Sequence, residues 1–207
     1  MPSILAAYAL TNSSRIGSRL TFTPSAAQTT LLENLINAAT DFIESRTNRR
    51  FKSTTYTNEV YSFLEGVRQI VALRQSPVTE LLNVQYRAGT PSNPSWTSFI
   101  TDQFELVSNG ASGLARIYGN LFGINNLRAS YTAGYLIDFA NVNDPTKHTL
   151  PGDLTDLCER MVVRSYKRRE GEAEKTVGGP QSTMTWNDYL DETDQDVLAR
   201  YERYLLA

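Results

Sequence analysis

The sequence has few of the residues from which metal and redox sites are built. It contains one cysteine, Cys158, and one histidine, His148, among 207 residues. A single cysteine excludes an internal disulfide framework, and one cysteine with one histidine cannot supply the ligands of a His/Cys zinc site within one chain. We therefore predict no cofactor, no metal and no need for an oxidising compartment.

The sequence also lacks an excess of positive charge and a long apolar run. Its 20 lysines and arginines stand against 22 aspartates and glutamates, a formal net charge of -2, so no global field attracts nucleic-acid phosphates. The apolar stretch at residues 4–10 is too short to span a membrane and has no basic residues before it. Hydrophobic residues make up 41% of the chain and charged residues 20%, which is typical of a globular protein. We expect a cytosolic product without a membrane partner.

Hydrophobic periodicity predicts an α+β protein with amphipathic helices around an antiparallel strand-rich middle. A helix over about 25–47 is predicted from its apolar spacing, with Glu33 on its polar face. Residues 56–135 contain seven short runs rich in Val, Ile, Tyr, Phe and Thr, separated by turn residues. Further helices are expected at about 153–169 and 192–206. We predict one domain at 1–177 and a carboxyl-terminal arm with an amphipathic helix at 178–207.

No set of residues has the pattern of a catalytic site, and we predict that the protein is not an enzyme. His148 is expected to lie exposed in a polar loop without a nucleophile motif. Cys158 lies on the apolar face of the helix at 153–169, which indicates a buried structural thiol. The glycines lack the lysine of a phosphate-binding loop. The acidic residues between 188 and 196 fit no calcium loop, and we expect them to form the solvated start of the last helix.

Aromatic and charged residues favour a role in binding other proteins. The basic clusters at 46–52 and 164–169 lie at expected helix carboxyl ends, where the helix dipole favours cations. The arm is rich in aromatic and leucine side chains, which suit a protein interface. The side chains expected to bind a partner are Trp186, Tyr189, Leu190, Leu198, Tyr201, Tyr204 and Leu205.

Five segments, taken in order, resemble the head–tail connector (adaptor) family of long-tailed bacteriophages. They are LLENLINAATDFIESRTNRRF (31–51), SPVTELLNVQY (76–86), LRASYTAGY (127–135), LPGDLTDLCERMVVRSYKRRE (150–170) and STMTWNDYLDETDQDVLARYERYLL (182–206). The resemblance implies a non-enzymatic ring, typically of twelve subunits, that sits under the portal protein and surrounds the DNA channel. It implies a location in the virion neck after synthesis in the bacterial cytoplasm.

The resemblance also implies partners. These are further copies of the chain, the portal protein, a stopper or tail-completion protein, and double-stranded DNA that passes through without sequence-specific binding. The arm would then bind the portal. Contacts between subunits are expected at complementary charges, namely Arg46, Arg49, Arg50, Arg164, Lys167, Arg168, Asp188, Asp191 and Glu192.

Two other functions stay open. One is a DNA-binding packaging or regulatory protein that uses a basic cluster, which would show steeply salt-dependent binding. The other is the stopper, or head-closure, ring protein that follows the adaptor in the neck. The sequence also leaves open whether the strand-rich middle forms a barrel or an open layer.

Overall fold

The computed structural model describes residues 3–63, 70–90, 93–118, 123–174 and 190–202. Its helices and strands are α1 (Ser13–Leu20), α2 (Ala26–Thr47), β1 (Thr54–Phe63), β2 (Ile70–Ala72), β3 (Val78–Thr90), β4 (Asn93–Ser98), β5 (Phe104–Leu106), β6 (Leu114–Ile117), β7 (Gly123–Ala133), α3 (Gly152–Glu174) and α4 (Glu192–Tyr201). The predicted α+β fold is confirmed, and each of the seven strand-like runs contains a strand.

The chain divides into two compact units. Residues 52–135 form a strand unit, and the parts of the chain before and after it form a helical unit. The predicted domain boundary at residues 177 and 178 lies outside the described residues.

Helix α2 forms where the sequence predicts it because both of its ends are capped. The Ser25 side chain accepts a hydrogen bond from the Gln28 amide, and the Gln28 side chain accepts one from the Ser25 amide. At the other end, Asn48 adopts the left-handed conformation that closes many helices. The apolar faces of α2 and α3 form the core of the helical unit, which includes Leu32, Leu35, Ile36, Ala39, Ile43, Leu154, Leu157, Cys158 and Met161.

Three details of the helix predictions are wrong. Helix α4 ends at Tyr201, and Glu202 is already extended, whereas the prediction continues the helix to about residue 206. Glu33 is buried rather than solvated, because the amino-terminal segment crosses α2 there. Its carboxylate accepts hydrogen bonds from the Ser3 hydroxyl at 2.7 Å and the Ile4 amide at 2.8 Å. Helix α3 continues to Glu174, so residues 164–169 lie inside the helix and its dipole does not explain their positive charge.

Helix α1 is not among the sequence predictions, because it has only eight residues. The Asn12 side chain caps its start by accepting the Arg15 amide at 3.0 Å. The Ile16 side chain of this helix is fully buried. So short a helix is stabilised by tertiary contacts rather than by its own propensity.

The strand unit contains two antiparallel sheets. One has the strand order β1-β7-β3-β4 and the other the order β2-β6-β5. Neither sheet closes on itself, so the described strands form two open sheets rather than one closed barrel. Strand β7 alternates as predicted, with Leu127, Ala129, Tyr131 and Ala133 buried. The chain then bends at Gly134, which has a φ of 108°.

Two buried tyrosines fasten the loop after β2 to this sheet. The Tyr61 and Tyr131 hydroxyls donate to Oε2 of Glu59, at 2.6 and 2.7 Å. Each hydroxyl oxygen also accepts a backbone amide, from Arg74 and Gln75 respectively. Burial is the main cause that raises the pKa of both phenols. The hydrogen bond to Glu59 raises the pKa of Tyr61 further, and the hydrogen bond with Tyr61 does the same for Tyr131, so both remain protonated donors. The stretch LRASYTAGY therefore has a structural role, because its Tyr131 holds the loop after β2 against the sheet.

Candidate partner-binding surface on the helical unit

Helix α4 is attached to α3 through a buried carboxylate. Asp194 has no solvent exposure, and its Oδ1 accepts Nε and Nη2 of Arg160 at 2.9 and 2.6 Å. Its Oδ2 accepts a second guanidinium, that of Arg164. Arg160 and Arg164 are one helical turn apart on α3, so both reach the same point on α4. The expectation of a solvated acidic helix start is therefore wrong for Asp194.

The first turn of α4 is held by a reciprocal cap that shares these groups. The Asp191 side chain accepts the Asp194 amide at 2.8 Å, and the Asp194 side chain accepts the Asp191 amide at 3.2 Å. The hydrogen bond from the Asp194 amide, followed by the nearby Arg164, lowers the pKa of Asp191. Asp191 and Arg164, two residues expected at contacts between subunits, thus form an ion pair within one chain.

The last turn of α4 is attached to the start of α3 and to the end of α2. The Tyr201 hydroxyl donates to Oδ1 of Asp153 at 2.8 Å. Its ring meets the Phe51 ring edge-on, with the centroids 6.0 Å apart. The Arg49 guanidinium lies 5.5 Å from the Phe51 ring and 5.8 Å from the Tyr201 ring, which favours a cation–π contact with both. Helix α4 therefore runs antiparallel to α3 and is fixed at both ends.

A second buried carboxylate joins α1 to α3. Glu159 is 1% exposed, and its Oε1 accepts the Thr11 hydroxyl at 2.9 Å and Nε of Arg15 at 2.6 Å. Arg19 forms an ion pair with its other oxygen and also contacts Asp156. Since Asp156 pairs with Arg160 as well, charged contacts run along α3 from α1 to α4.

A groove of about 840 Å³ lies between α2 and α4. Its lining contains apolar side chains from both helices together with one cation and two carboxylates. The lining residues are Phe42, Ser45, Arg46, Leu190, Gln195, Asp196, Leu198, Ala199 and Glu202. This is the concave surface where predicted partner-binding and subunit-contact residues, Leu190, Leu198 and Arg46, come together.

Of the predicted contact residues that the structure describes, the remaining ones do not line this groove. Arg50 pairs with Glu44 at 2.5 Å, and the hydrogen bond that its guanidinium donates to that carboxylate raises the pKa of Arg50. Lys167, Arg168 and Glu192 are exposed. The predicted residues Trp186, Asp188, Tyr189, Tyr204 and Leu205 lie outside the described residues.

Leu198 and Tyr201 have contacts within their own chain. Leu198 is only 4% exposed, and Tyr201 is half-buried by the contacts with Phe51 and Asp153. Both side chains thus already have contacts within their own unit, and their role in binding the portal stays a prediction.

The described residues contain no group of three or more His, Cys, Asp or Glu side chains placed to hold a metal ion. The thiol of Cys158 is buried as predicted, and burial raises its pKa to about 12. His148 is half-buried rather than exposed, because its Nδ1 accepts the Asp138 amide at 3.1 Å and its ring packs against Phe139. None of the described helices is long and apolar enough to cross a membrane.

Sequence reasoning missed the two buried carboxylates, Glu159 and Asp194. One signal was present for Asp194: a carboxylate three residues after Asp191 fits a reciprocal cap, and such a cap places the side chain on the helix face next to the preceding turn. No local pattern identifies Glu159, because its partners lie 144 and 148 residues away along the chain.

The fold is similar to that of chains in solved gene transfer agent particles. A chain from the neck of an empty gene transfer agent particle, computed with C6 symmetry, aligns with a TM-score of 0.57 and 14% sequence identity over 100% of this chain and 94% of that one. A chain from the virion of a native particle aligns with a TM-score of 0.56 and 15% sequence identity, over 100% of this chain and 97% of that one. A chain from the neck of a native particle, computed with C12 symmetry, aligns with a TM-score of 0.55 and 16% sequence identity, over 98% of this chain and 96% of that one.

No protein-family model matches the sequence, and neither does any curated protein. The identities of 14–16% leave the fold as the shared property. The chain thus has, over nearly its whole length, the fold of chains that belong to gene transfer agent necks and virions.

Proposed function

We propose that this protein is a structural component of the neck of a phage-like particle, where it acts as the head–tail connector. Copies of the chain form a ring, of twelve subunits, under the portal and around the DNA channel. The supporting observation is the whole-length similarity to neck chains: both this chain and its neighbours are covered almost completely. The C6 and C12 symmetries named for those necks fit a cyclic assembly.

A ring requires two different surfaces on each subunit that fit each other. Interfaces of this kind bury on the order of 1,600 Å² in total. We assign one of the two surfaces to the groove between α2 and α4, because it is concave and carries both apolar side chains and charges. Exposed charges of the helical unit, Arg46, Lys167, Arg168 and Glu192, fix the register of neighbouring copies.

The arm contributes the contact with the portal. Its aromatic residues Trp186, Tyr189 and Tyr204, together with Leu205, suit a hydrophobic interface. Deletion of residues 184–207 is a poor test of this role, because it also removes Asp194 and the apolar contacts of α4. Alanine at Trp186 and Tyr189 keeps Asp194 and the whole of α4 in the chain and is the better perturbation.

The function is tested in the strain that produces the particles. We expect a deletion of this gene to yield DNA-filled heads without tails in negative-stain electron microscopy, and the wild-type gene in trans to restore tailed particles. Normal tailed particles in the deletion strain would contradict a role in the neck.

A second experiment separates the adaptor from the stopper. Tagged portal rings should retain the wild-type protein, and the double alanine variant at Trp186 and Tyr189 should be retained at least tenfold less. The control Asp102→Ala, at an exposed residue of the strand unit that has no assigned contact, should bind the portal normally. Retention by an adaptor ring but not by the portal would identify the stopper instead.

A further inference from the structure

The four-stranded sheet of the strand unit has one apolar face and one polar face. Along β7 the buried residues alternate with Arg128, Ser130 and Thr132, which therefore point to the opposite side. Gln85 of β3 lies opposite Arg128 in the register, and Ser98 of β4 lies opposite Gln85. The polar face thus carries a row of hydrogen-bonding side chains across three strands.

Arg128 is held rigidly in the middle of this polar face. Its Nε donates to Oε1 of Gln85, and Nε2 of Gln85 donates to the Ser98 hydroxyl at 2.9 Å. Its guanidinium lies 4.6 Å from the centroid of the Trp96 ring, within the range of a cation–π contact. Both contacts fix the plane of the guanidinium without neutralising its charge.

The charge of Arg128 is not paired with a carboxylate among the described residues. Arg116, in the other sheet, is different: its Nη1 lies 2.8 Å from Oε1 of Glu105. A second arginine, Arg87, occupies the register position opposite Trp96. The indole is therefore flanked by two arginines on one face of the sheet.

We propose that this polar face binds the phosphate backbone of duplex DNA, with Arg128 as its central contact. A guanidinium offers a planar set of donors that matches phosphate oxygens, and fixing it in advance lowers the entropy lost on binding. Neighbouring hydroxyl and amide groups also suit phosphate and sugar contacts. Because the Trp96 ring is already covered by Arg128, it supports the cation rather than stacking on an unpaired base, which favours duplex over single-stranded DNA.

This proposal rests on the proposed function, because the DNA it concerns is the DNA that passes through the neck. It assigns the surface of each subunit that faces this DNA. The cation at the centre of the face has no carboxylate partner among the described residues, which favours an anionic ligand such as a phosphate. Binding through one or two phosphates per subunit is weak and independent of base sequence, as passage of DNA through a channel requires.

The test uses the full-length protein with Trp186→Phe, which leaves Trp96 as the only tryptophan. A 20-base-pair duplex of random sequence is added at 20 to 200 mM salt, and tryptophan fluorescence and DNA anisotropy are recorded. We expect Trp96 fluorescence to change and affinity to fall with salt. Arg128→Gln should weaken binding at 20 mM salt by roughly fivefold and flatten the salt slope by about one unit.

Two matched variants sharpen the result. Arg128→Lys keeps the charge and should keep most of the salt slope, whereas Arg116→Gln, at an arginine already paired with Glu105, should bind like the parent. Circular dichroism and thermal unfolding check that each variant is folded.

Three results would overturn the proposal: no DNA binding by the parent at 20 mM salt, equal loss in Arg128→Gln and Arg116→Gln, or equal binding of polyglutamate at the same charge concentration. Tighter binding of single-stranded than of duplex DNA would also contradict it. Portal binding and the tailless phenotype are independent of these readouts, so a failure here is distinguishable from a failure of the neck function.

Discussion

Replacing Asp194 with asparagine should loosen the attachment of α4 to the helical unit. The substitution keeps the size of the side chain but removes the charge that two arginines share. A hydrogen bond to a charged group contributes about 1.5–3 kcal/mol, and removing one partner of a buried pair costs about 3–5 kcal/mol. The side chains of Arg160 and Arg164 are 26% and 34% exposed, so water can replace part of the lost contact. We therefore expect the substitution to lower the free energy that attaches α4 to the helical unit by about 2 kcal/mol.

Native-state hydrogen exchange measures this loss directly. The backbone amides of α4 should exchange about 30-fold faster in Asp194→Asn, since each factor of ten in an equilibrium constant corresponds to about 1.4 kcal/mol. The amides of α2 should change less, because the apolar core that α2 and α3 form does not involve Asp194. The matched control is Asp196→Asn on the same helix, where the carboxylate is exposed.

The reasoning would be refuted by unchanged protection of α4 in Asp194→Asn. It would also be refuted by equal effects of the two asparagine variants, because the buried carboxylate would then contribute no more than an exposed one.

Three further substitutions test other parts of the structure. Glu159→Gln should lower the free energy of unfolding by about 2–3 kcal/mol, measured by thermal denaturation against the exposed control Glu192→Gln. Gly110→Ala should destabilise the strand unit by more than about 2 kcal/mol, because Gly110 has a φ of +79° and an added Cβ would lie 1.8 Å from the Val78 carbonyl oxygen. A chemical denaturation curve identical to that of the wild type would contradict this. Cys158 should react with a thiol reagent at pH 8 only after denaturation, because burial raises its pKa from 9.0 to about 12. As the pH rises, the thiol ionises in the unfolded chain before it does so in the folded protein. The free energy of unfolding should therefore decline as the pH rises from about 9 to 12, and a Cys158→Ser variant should lack this decline.

The strand unit and α2 could be predicted from the sequence because their signals are local. The Ser25 cap, the apolar spacing through Ile43 and the alternation around Tyr131 all act between residues a few positions apart. The buried thiol of Cys158 followed from the same kind of pattern.

The charged contacts could not be predicted in the same way. Asp194 and its arginines are separated by 30 and 34 residues, and the surrounding sequence gives equal support to a solvated helix start. Arg164 and Asp191 each appeared suited to a neighbouring subunit, yet the antiparallel arrangement of α3 and α4 brings them together in one chain. Arg128 gave no signal either, since its special environment depends on Trp96, which lies two strands away in the sheet.

The sequence by itself determined the helices, the strands and the apolar faces, because these depend on caps, turns and periodicity along a short stretch of chain. Tertiary structure alone decided which charges are buried and paired and which remain exposed. The physical reason is that the free energy of a charge depends on its partners and its hydration, and both are set by the packing of residues distant in the chain. Packing buries and pairs the charge of Asp194, which gives it a structural role, and leaves the charge of Arg128 without a carboxylate among the described residues, where a ligand can bind it.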